Sequence, residues 1–518
     1  MQGESRTRKT LRNTAYSFIY KFVDLVMAFL LRWLFIKALG MEYLGLSGLF
    51  TNILSVLSLV ELGIGSAIVF ALYEPLATGD EEKTTSLMRL YKNVYNTIGI
   101  IVVVIGALVT PFLKYVVNLP NSVEGIYLIY WITVLNTGAS YFFSYKRSLL
   151  IADQRSDINT KNIIIFRFIR FFILSFLLIS VHNYFAYLMV DVVLTIISNI
   201  QISNVVERKY PYLKKIKPKK LNQSETAGIT KLVRAAIFSK IGQTVIYSTD
   251  NILISVFIST IWVGIYSNYS MITSNLEIMA YLFFNSITAA VGNYSVTNSE
   301  QKIVKLFKRI SFVNFVFSYV LTVCVFCLIS PFVMLWVGKV YVLKNITVAI
   351  IALNFYIATS QKSVENFLNS RGEMYFINRY RSLIESVINL GVSIVLVKYT
   401  KLGITGILLG TTICFFFGRV WMDAYTLYKH WFLIPYRYYL QLYVFRFILT
   451  GVTASLLYFV SRALFIHFGI FIWSWILIAM LIILITLATV VLIFHNTDEY
   501  KYCKSLFFKL VAKKVGYG

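Results

Sequence analysis

The sequence predicts an all-α polytopic membrane protein. It has about fourteen transmembrane helices, arranged as two six-helix lobes in a parallel pseudo-twofold repeat plus two extra C-terminal helices. Three observations lead there. Of 518 residues, 58% are hydrophobic and 14% charged, against about 45–50% and 25% in soluble domains. Mean hydropathy is +0.71. Apolar runs long enough to cross a bilayer recur along the whole chain, and Lys and Arg collect on alternate connections between them. A soluble core of this size cannot hide so much apolar surface, and disordered chains are polar.

A helix crossing hydrocarbon needs roughly 20 apolar residues. Such runs fall at about 13–38, 44–73, 91–113, 125–151, 162–181 and 184–206. Six more lie at about 231–258, 261–293, 310–333, 346–369, 376–397 and 402–424, and two at 438–461 and 468–494. The N-terminus is basic (Arg6, Arg8, Lys9, Arg12). The run behind it is longer than the 7–15 residues or so of a signal-peptide core. It is expected to stay as the first span.

Net charge is +26. On a soluble chain this would point to nucleic acid; here no nucleic-acid partner is expected. With the N-terminus inside, 34 of the 49 Lys and Arg fall on cytoplasmic segments, 7 on external loops and 8 within spans. That is positive-inside sorting, and it places both termini in the cytoplasm of a bacterial plasma-membrane protein.

The expected organisation is an N-terminal lobe over 1–206, a basic linker over 207–230 and a C-terminal lobe over 231–430. An extra helix pair follows over 431–495, then a basic cytoplasmic tail over 496–518. The linker carries Lys214, Lys215, Lys217, Lys219 and Lys220. It reads as a solvated, topology-fixing segment, with membrane-lipid headgroups as the functional alternative. The turns after spans 1 and 7 align Gly45 with Gly264, and both spans start on the same side. That parity makes the repeat parallel.

Ionisable side chains at membrane depth are expensive, so they face partners or water. On span 1, Lys21, Asp24 and Arg32 fall within about 80° of one another at 100° per residue. On span 7, Arg234 precedes a second stripe of Lys240, Gln243, Tyr247 and Asp250. Two such stripes make a hydrophilic cavity or a pair of structural salt bridges. Glu61 in span 2 and Glu277 in span 8 add carboxylates. Arg167, Arg170 and Arg234 lie near the cytoplasmic face and can snorkel. Arg381 and Glu385 are four apart and can pair with each other.

No Walker A, strand-linked GxGxxG or HExxH motif is present. Cys324 and Cys327 form a CxxC inside an apolar run, but with no second pair and no nearby His it reads as core packing, and the four His are scattered. Every external loop is short, which argues against a glycan polymerase.

The run Leu39-Gly40-Met41-Glu42-Tyr43-Leu44-Gly45 through Leu49-Phe50 resembles the start of the polysaccharide-transport (Wzx-type) flippases. So does Glu61-Leu62-Gly63-Ile64-Gly65-Ser66-Ala67-Ile68 followed by Tyr73-Glu74-Pro75-Leu76. These flippases share the MOP superfamily with MATE exporters and the lipid II flippase MurJ. The resemblance is sharpest over residues 10–110. It implies a non-enzymatic carrier of two six-helix lobes around a cavity that opens to alternate sides. The implied cargo is a polyprenyl-pyrophosphate-linked oligosaccharide, and Arg32 matches the family's cavity arginine by depth. Lys21, Lys240, Arg234, Arg170 and Gln243 are the further cargo-binding candidates. No cofactor is expected beyond H⁺ or Na⁺ coupling, for which Asp24, Glu61, Asp250 and Glu277 are candidates. Glycosyltransferases and a polymerase of the same pathway are candidate partners. The competing readings are a MATE-like exporter of organic cations, whose cavity should be net acidic, and a membrane glycosyltransferase or polymerase.

Overall fold

The computed structural model describes residues 6–61, 64–119, 123–219, 223–371 and 380–515. Among them the chain is helical throughout, with no strand. Among the described residues eight helices are long and apolar enough to cross a membrane: Glu81–Val116, Ser156–Ser180, Tyr184–Lys209, Glu300–Trp336, Arg381–Tyr399, Ile404–Phe432, Tyr436–Phe468 and Ile472–Phe494. The other expected spans are helical too, but they carry charges or are broken.

The first break is a single residue. Helix α1 (Arg6–Leu57) joins spans 1 and 2 through Gly40, which has φ 85°. Only glycine enters that region without strain, so the chain turns there with no loop. A 3₁₀ turn, Ser58–Glu61, then separates α1 from α2 (Ile64–Thr78). Next come α3 (Glu81–Val109), α4 (Ile126–Ser144), α5 (Arg147–Ala152), α6 (Ser156–Ser180) and α7 (Tyr184–Lys209). Asp80 caps α3, accepting from Lys83 N at 2.8 Å, and Glu81 and Glu82 lie in its first turn. Asp80 satisfies one orphan N–H group, and the two glutamates complement the helix dipole.

Small residues set the spacing of α3 and α4. A Cβ on Gly106 would lie 2.7 Å from Val134 Cγ1, and one on Gly99 would lie 3.0 Å from Gly138 O. Lipid offers no hydrophobic force to press helices together, so close backbone approach does that job. Tyr130 donates to Gly106 O at 3.0 Å across the same contact.

The second half runs α8 (Gln223–Phe257), α9 (Thr260–Asn285), α10 (Thr288–Thr297), α11 (Glu300–Trp336), α12 (Asn345–Ser360), α13 (Lys362–Arg371), α14 (Arg381–Tyr399) and α15 (Ile404–Phe415). Two π-helical turns, Phe416–Asp423 and Leu427–Phe432, continue α15. The last helices are α16 (Tyr436–Phe468), α17 (Ile472–Phe494) and α18 (Asp498–Val515).

Breaks inside a membrane free backbone groups that need partners, and two buried asparagines supply them. Asn314 donates to Thr359 O at 2.8 Å and accepts from Ser363 N at 2.6 Å, closing the gap between α12 and α13. Asn366 donates to Phe284 O at 2.5 Å and Thr288 Oγ1 at 2.7 Å, across the gap between α9 and α10.

The chain divides into two compact units. Unit 1 is Met1–Thr244 with Ile258–Gly264, and unit 2 is Val245–Phe257 with Ile265–Gly518. The division falls inside α8, whereas the sequence places the lobe boundary in the basic linker. Unit 1 is centred on Leu72, Leu87, Tyr91, Val102, Leu149 and Ile202. Unit 2 has one core around Phe307, Phe367, Leu427 and Trp431, and another around Tyr319, Val323, Ile482 and Phe494. Large apolar side chains such as Leu477, Leu484 and Leu492 on α17 stay exposed, as a lipid-facing helix requires.

In unit 1 the aligned glycines of the two half-repeats meet each other. A Cβ on Gly264 would lie 2.9 Å from Gly45 N, and one on Gly45 would overlap Thr260 O. Beside them Thr260 N donates to Asn118 O at 2.7 Å, and Asn118 N donates to Thr260 Oγ1 at 2.9 Å. Within the linker Lys214 pairs with Glu207 and Lys219 with Glu82, each at 2.5 Å.

Candidate functional site: clusters of charge at membrane depth

Unit 1 gathers its charges around two buried or half-buried carboxylates. Asp24 is 8% exposed. It pairs with Lys21 Nζ at 3.2 Å, one helical turn away, and also accepts from Arg167 Nε on α6. Arg167 is therefore more than a snorkelling cation. Asp191 on α7 binds Arg170 Nη1 at 3.1 Å, and Asn136 donates to it at 3.4 Å. Arg170 also donates to Thr195 Oγ1 at 2.8 Å. Half-buried Arg32 shares the surroundings of Tyr184 and Tyr187 with Asp191. The group holds four cations, Lys21, Arg32, Arg167 and Arg170, against two carboxylates. Each carboxylate fixes an arginine and leaves the group net positive.

Glu61 lies apart from that group. Tyr95 donates to its Oε1 at 2.6 Å, and it has no ion pair among the described residues. Lys240 and Gln243 are exposed on α8. The side chain of Arg234 lies outside the described residues.

Unit 2 places Asp250 differently from the stripe read in the sequence. Asp250 is 8% exposed and faces α14 and α15. Thr411 Oγ1 donates to it at 3.0 and 3.2 Å and accepts from Asn389 Nδ2 at 2.9 Å. Thr249 donates to Asn389 Oδ1 at 3.3 Å. One carboxylate among hydroxyl and amide oxygens suits a proton or a hard monovalent cation. Among the described residues no group of three or more His, Cys, Asp or Glu forms a multivalent metal site.

A second cluster in unit 2 involves residues that the sequence placed elsewhere. Arg381 pairs with Asp423, 42 positions away, and not with Glu385. Glu385 is 2% exposed, and its Oε1 has no hydrogen-bond partner. It lies against Gly418, where a Cβ would overlap its carboxylate. Arg419, 5% exposed, donates to Tyr247 OH at 2.7 Å and stacks 3.8 Å over Phe415. Lys362 binds Glu365 at 2.8 Å. Half-buried Glu277 lies within electrostatic reach of Arg419, Lys362 and Glu365. The sequence reading singled out neither Arg419 nor Asp423. Their spacing of four in an apolar run was the available signal.

The comparisons with known proteins agree with this architecture. Residues 10–291, more than half of the chain, match the family described as polysaccharide biosynthesis protein. The chain belongs to that family. This polysaccharide biosynthesis protein is similar in fold to the lipid II flippase MurJ in an inward closed conformation, at 16% identity and TM-score 0.65. That match covers 91% of this chain and 98% of the other. It is also similar to an inward-facing multidrug resistance MATE family transporter of the MOP superfamily, at 13% identity and TM-score 0.62, over 77% and 93% of the two chains. A third is a MOP superfamily transporter from Pyrococcus furiosus, at 12% identity and TM-score 0.55, over 81% and 96%. No curated protein sequence matches it. The resemblance read from the first spans is borne out, as is the all-α polytopic membrane fold. The protein is a multi-pass membrane protein of the fold that MurJ and the MATE family transporters share.

Proposed function

We propose that this protein is a flippase that moves a polyprenyl-pyrophosphate-linked oligosaccharide from the cytoplasmic to the outer leaflet by alternating access, for cell-surface polysaccharide biosynthesis. The observation that carries the reading is the net positive group of Lys21, Arg32, Arg167 and Arg170 around Asp24 and Asp191. The diphosphate of such a cargo carries about two negative charges, and moving bare charge through a low-dielectric slab costs tens of kcal/mol. Arginine offers planar, bidentate donors to phosphate, and lysine a point charge. Asp24 and Asp191 hold those donors in place before cargo arrives. A carrier of organic cations would need the opposite balance. Asp250, with its oxygen neighbours, is the site we assign to H⁺ or Na⁺ coupling.

The test is Arg32→Ala in the native host, with surface glycan and its lipid-linked precursor measured together. Loss of surface glycan with precursor accumulating, at normal protein level in the membrane, supports the reading. Normal glycan output at normal protein level overturns the role of the cationic group.

A further inference from the structure

Inside unit 2, where α11 begins and α17 ends, lies a cavity of about 460 Å³. Aromatic side chains make up much of its wall, with Phe315, Tyr356, Tyr443 and Phe494 among them. Arg446 is the cation within it. Its Nη1 donates to Ser311 Oγ at 3.0 Å and to Ser311 O at 3.4 Å. The guanidinium stacks 4.9 Å from the centre of the Phe315 ring. Its Nε is buried and has no hydrogen-bond partner. Arg446 forms no ion pair among the described residues. Exposed Lys308 also lines the cavity, and Glu499 is the one carboxylate among the lining residues.

We propose that this cavity binds an anionic phospholipid from the surrounding leaflet, with its phosphate on Arg446 and Lys308 and the start of an acyl chain among the rings. An arginine with a free N–H in an apolar, aromatic chamber calls for an anion, and a lone hydrated ion would leave the rings unused. Ligand pockets run about 300–1,000 Å³, so the volume holds a phosphate headgroup and part of a tail. Basic pockets between transmembrane helices are the places where anionic headgroups settle. The leaflet is the one that the Lys and Arg count assigns to the cytoplasm, since α11 and α16 both start on that side. The site lies within unit 2, apart from the cationic group of unit 1, and stands whatever cargo is carried.

The experiment is native mass spectrometry of the full-length protein released from detergent. Phosphatidylglycerol, phosphatidylcholine of matched chains, undecaprenyl phosphate and inorganic phosphate are offered in turn. Phosphatidylglycerol should be retained about tenfold better than phosphatidylcholine, whose own quaternary ammonium already compensates its phosphate and would add a second cation beside Arg446. Arg446→Gln should lower its retention to the phosphatidylcholine level, and Arg446→Lys should keep part of it. Lys308→Gln, at an exposed position that does not hold the fold, should weaken it by a few-fold. Equal retention of the two phospholipids by the wild type overturns the proposal. So does unchanged retention in a folded Arg446→Gln, preference for undecaprenyl phosphate over phosphatidylglycerol, or displacement by inorganic phosphate.

Discussion

Replacing Asp423 with Asn separates two descriptions of the same buried charges. Sequence spacing pairs Arg381 with Glu385, one turn away on α14; the structure pairs it with Asp423 across to the π-helical turn after α15. Asp423 has no side-chain exposure, and Arg381 has 9%. Removing one partner of a buried pair leaves an uncompensated charge and costs about 3–5 kcal/mol. That is roughly a 10²–10³-fold or larger fall in the folded-to-unfolded ratio. Asp423→Asn should therefore destabilise the purified protein by about 3 kcal/mol or more in a reversible mixed-micelle denaturation. Arg381→Met combined with Asp423→Leu removes both charges and should recover at least about 1 kcal/mol of that loss. Glu385→Gln should be far milder, because its Oε1 accepts no hydrogen bond. A near-neutral Asp423→Asn beside a strongly destabilising Glu385→Gln would refute the cross-helix pairing.

Three further outcomes are expected. Gly45→Val should destabilise by about 1–3 kcal/mol through overpacking against the Thr260 backbone, whereas Gly451→Ala, with nothing within 4 Å of the added Cβ, should stabilise α16 by about 0.5–1 kcal/mol; thermal unfolding in detergent compares the two. A cysteine at exposed Pro218, in a chain whose Cys503 is replaced by Ser, should react with an impermeant maleimide only from the cytoplasmic side. Asp250→Asn should abolish the response of transport to an imposed H⁺ or Na⁺ gradient while leaving the fold intact, since Asn still accepts from Thr411; unchanged gradient dependence would move coupling to another carboxylate.

The spans were legible because hydropathy and Lys/Arg sorting are properties of the chain as written. The breaks were less so. Gly40 looked like part of an external turn, yet it joins two spans within α1. The gaps after Asn285 and Ser360 are bridged by Asn366 and Asn314, which reach across from other helices. Charge partners were the least legible. Lys21 and Asp24 share one helix, so their pairing could be read by angle. Arg167 with Asp24 and Arg381 with Asp423 join residues 143 and 42 positions apart, and no local period encodes them. Asp250 was placed with Lys240 by helical angle. Its packing against Thr411 turns it inward, while Lys240 stays exposed.

The central claim is that the cationic group of unit 1 carries a lipid diphosphate across the bilayer. Its most direct test is reconstitution of the purified protein into liposomes with a fluorescent polyprenyl-pyrophosphate oligosaccharide. Translocation is read from quenching by an impermeant reductant. The account expects transfer by the wild type and at least a tenfold loss in Arg32→Ala and in Arg170→Gln, as for removal of a charge-assisted phosphate contact. Transfer at the wild-type rate by both variants, or none by a well-folded wild type under any imposed gradient, would contradict it.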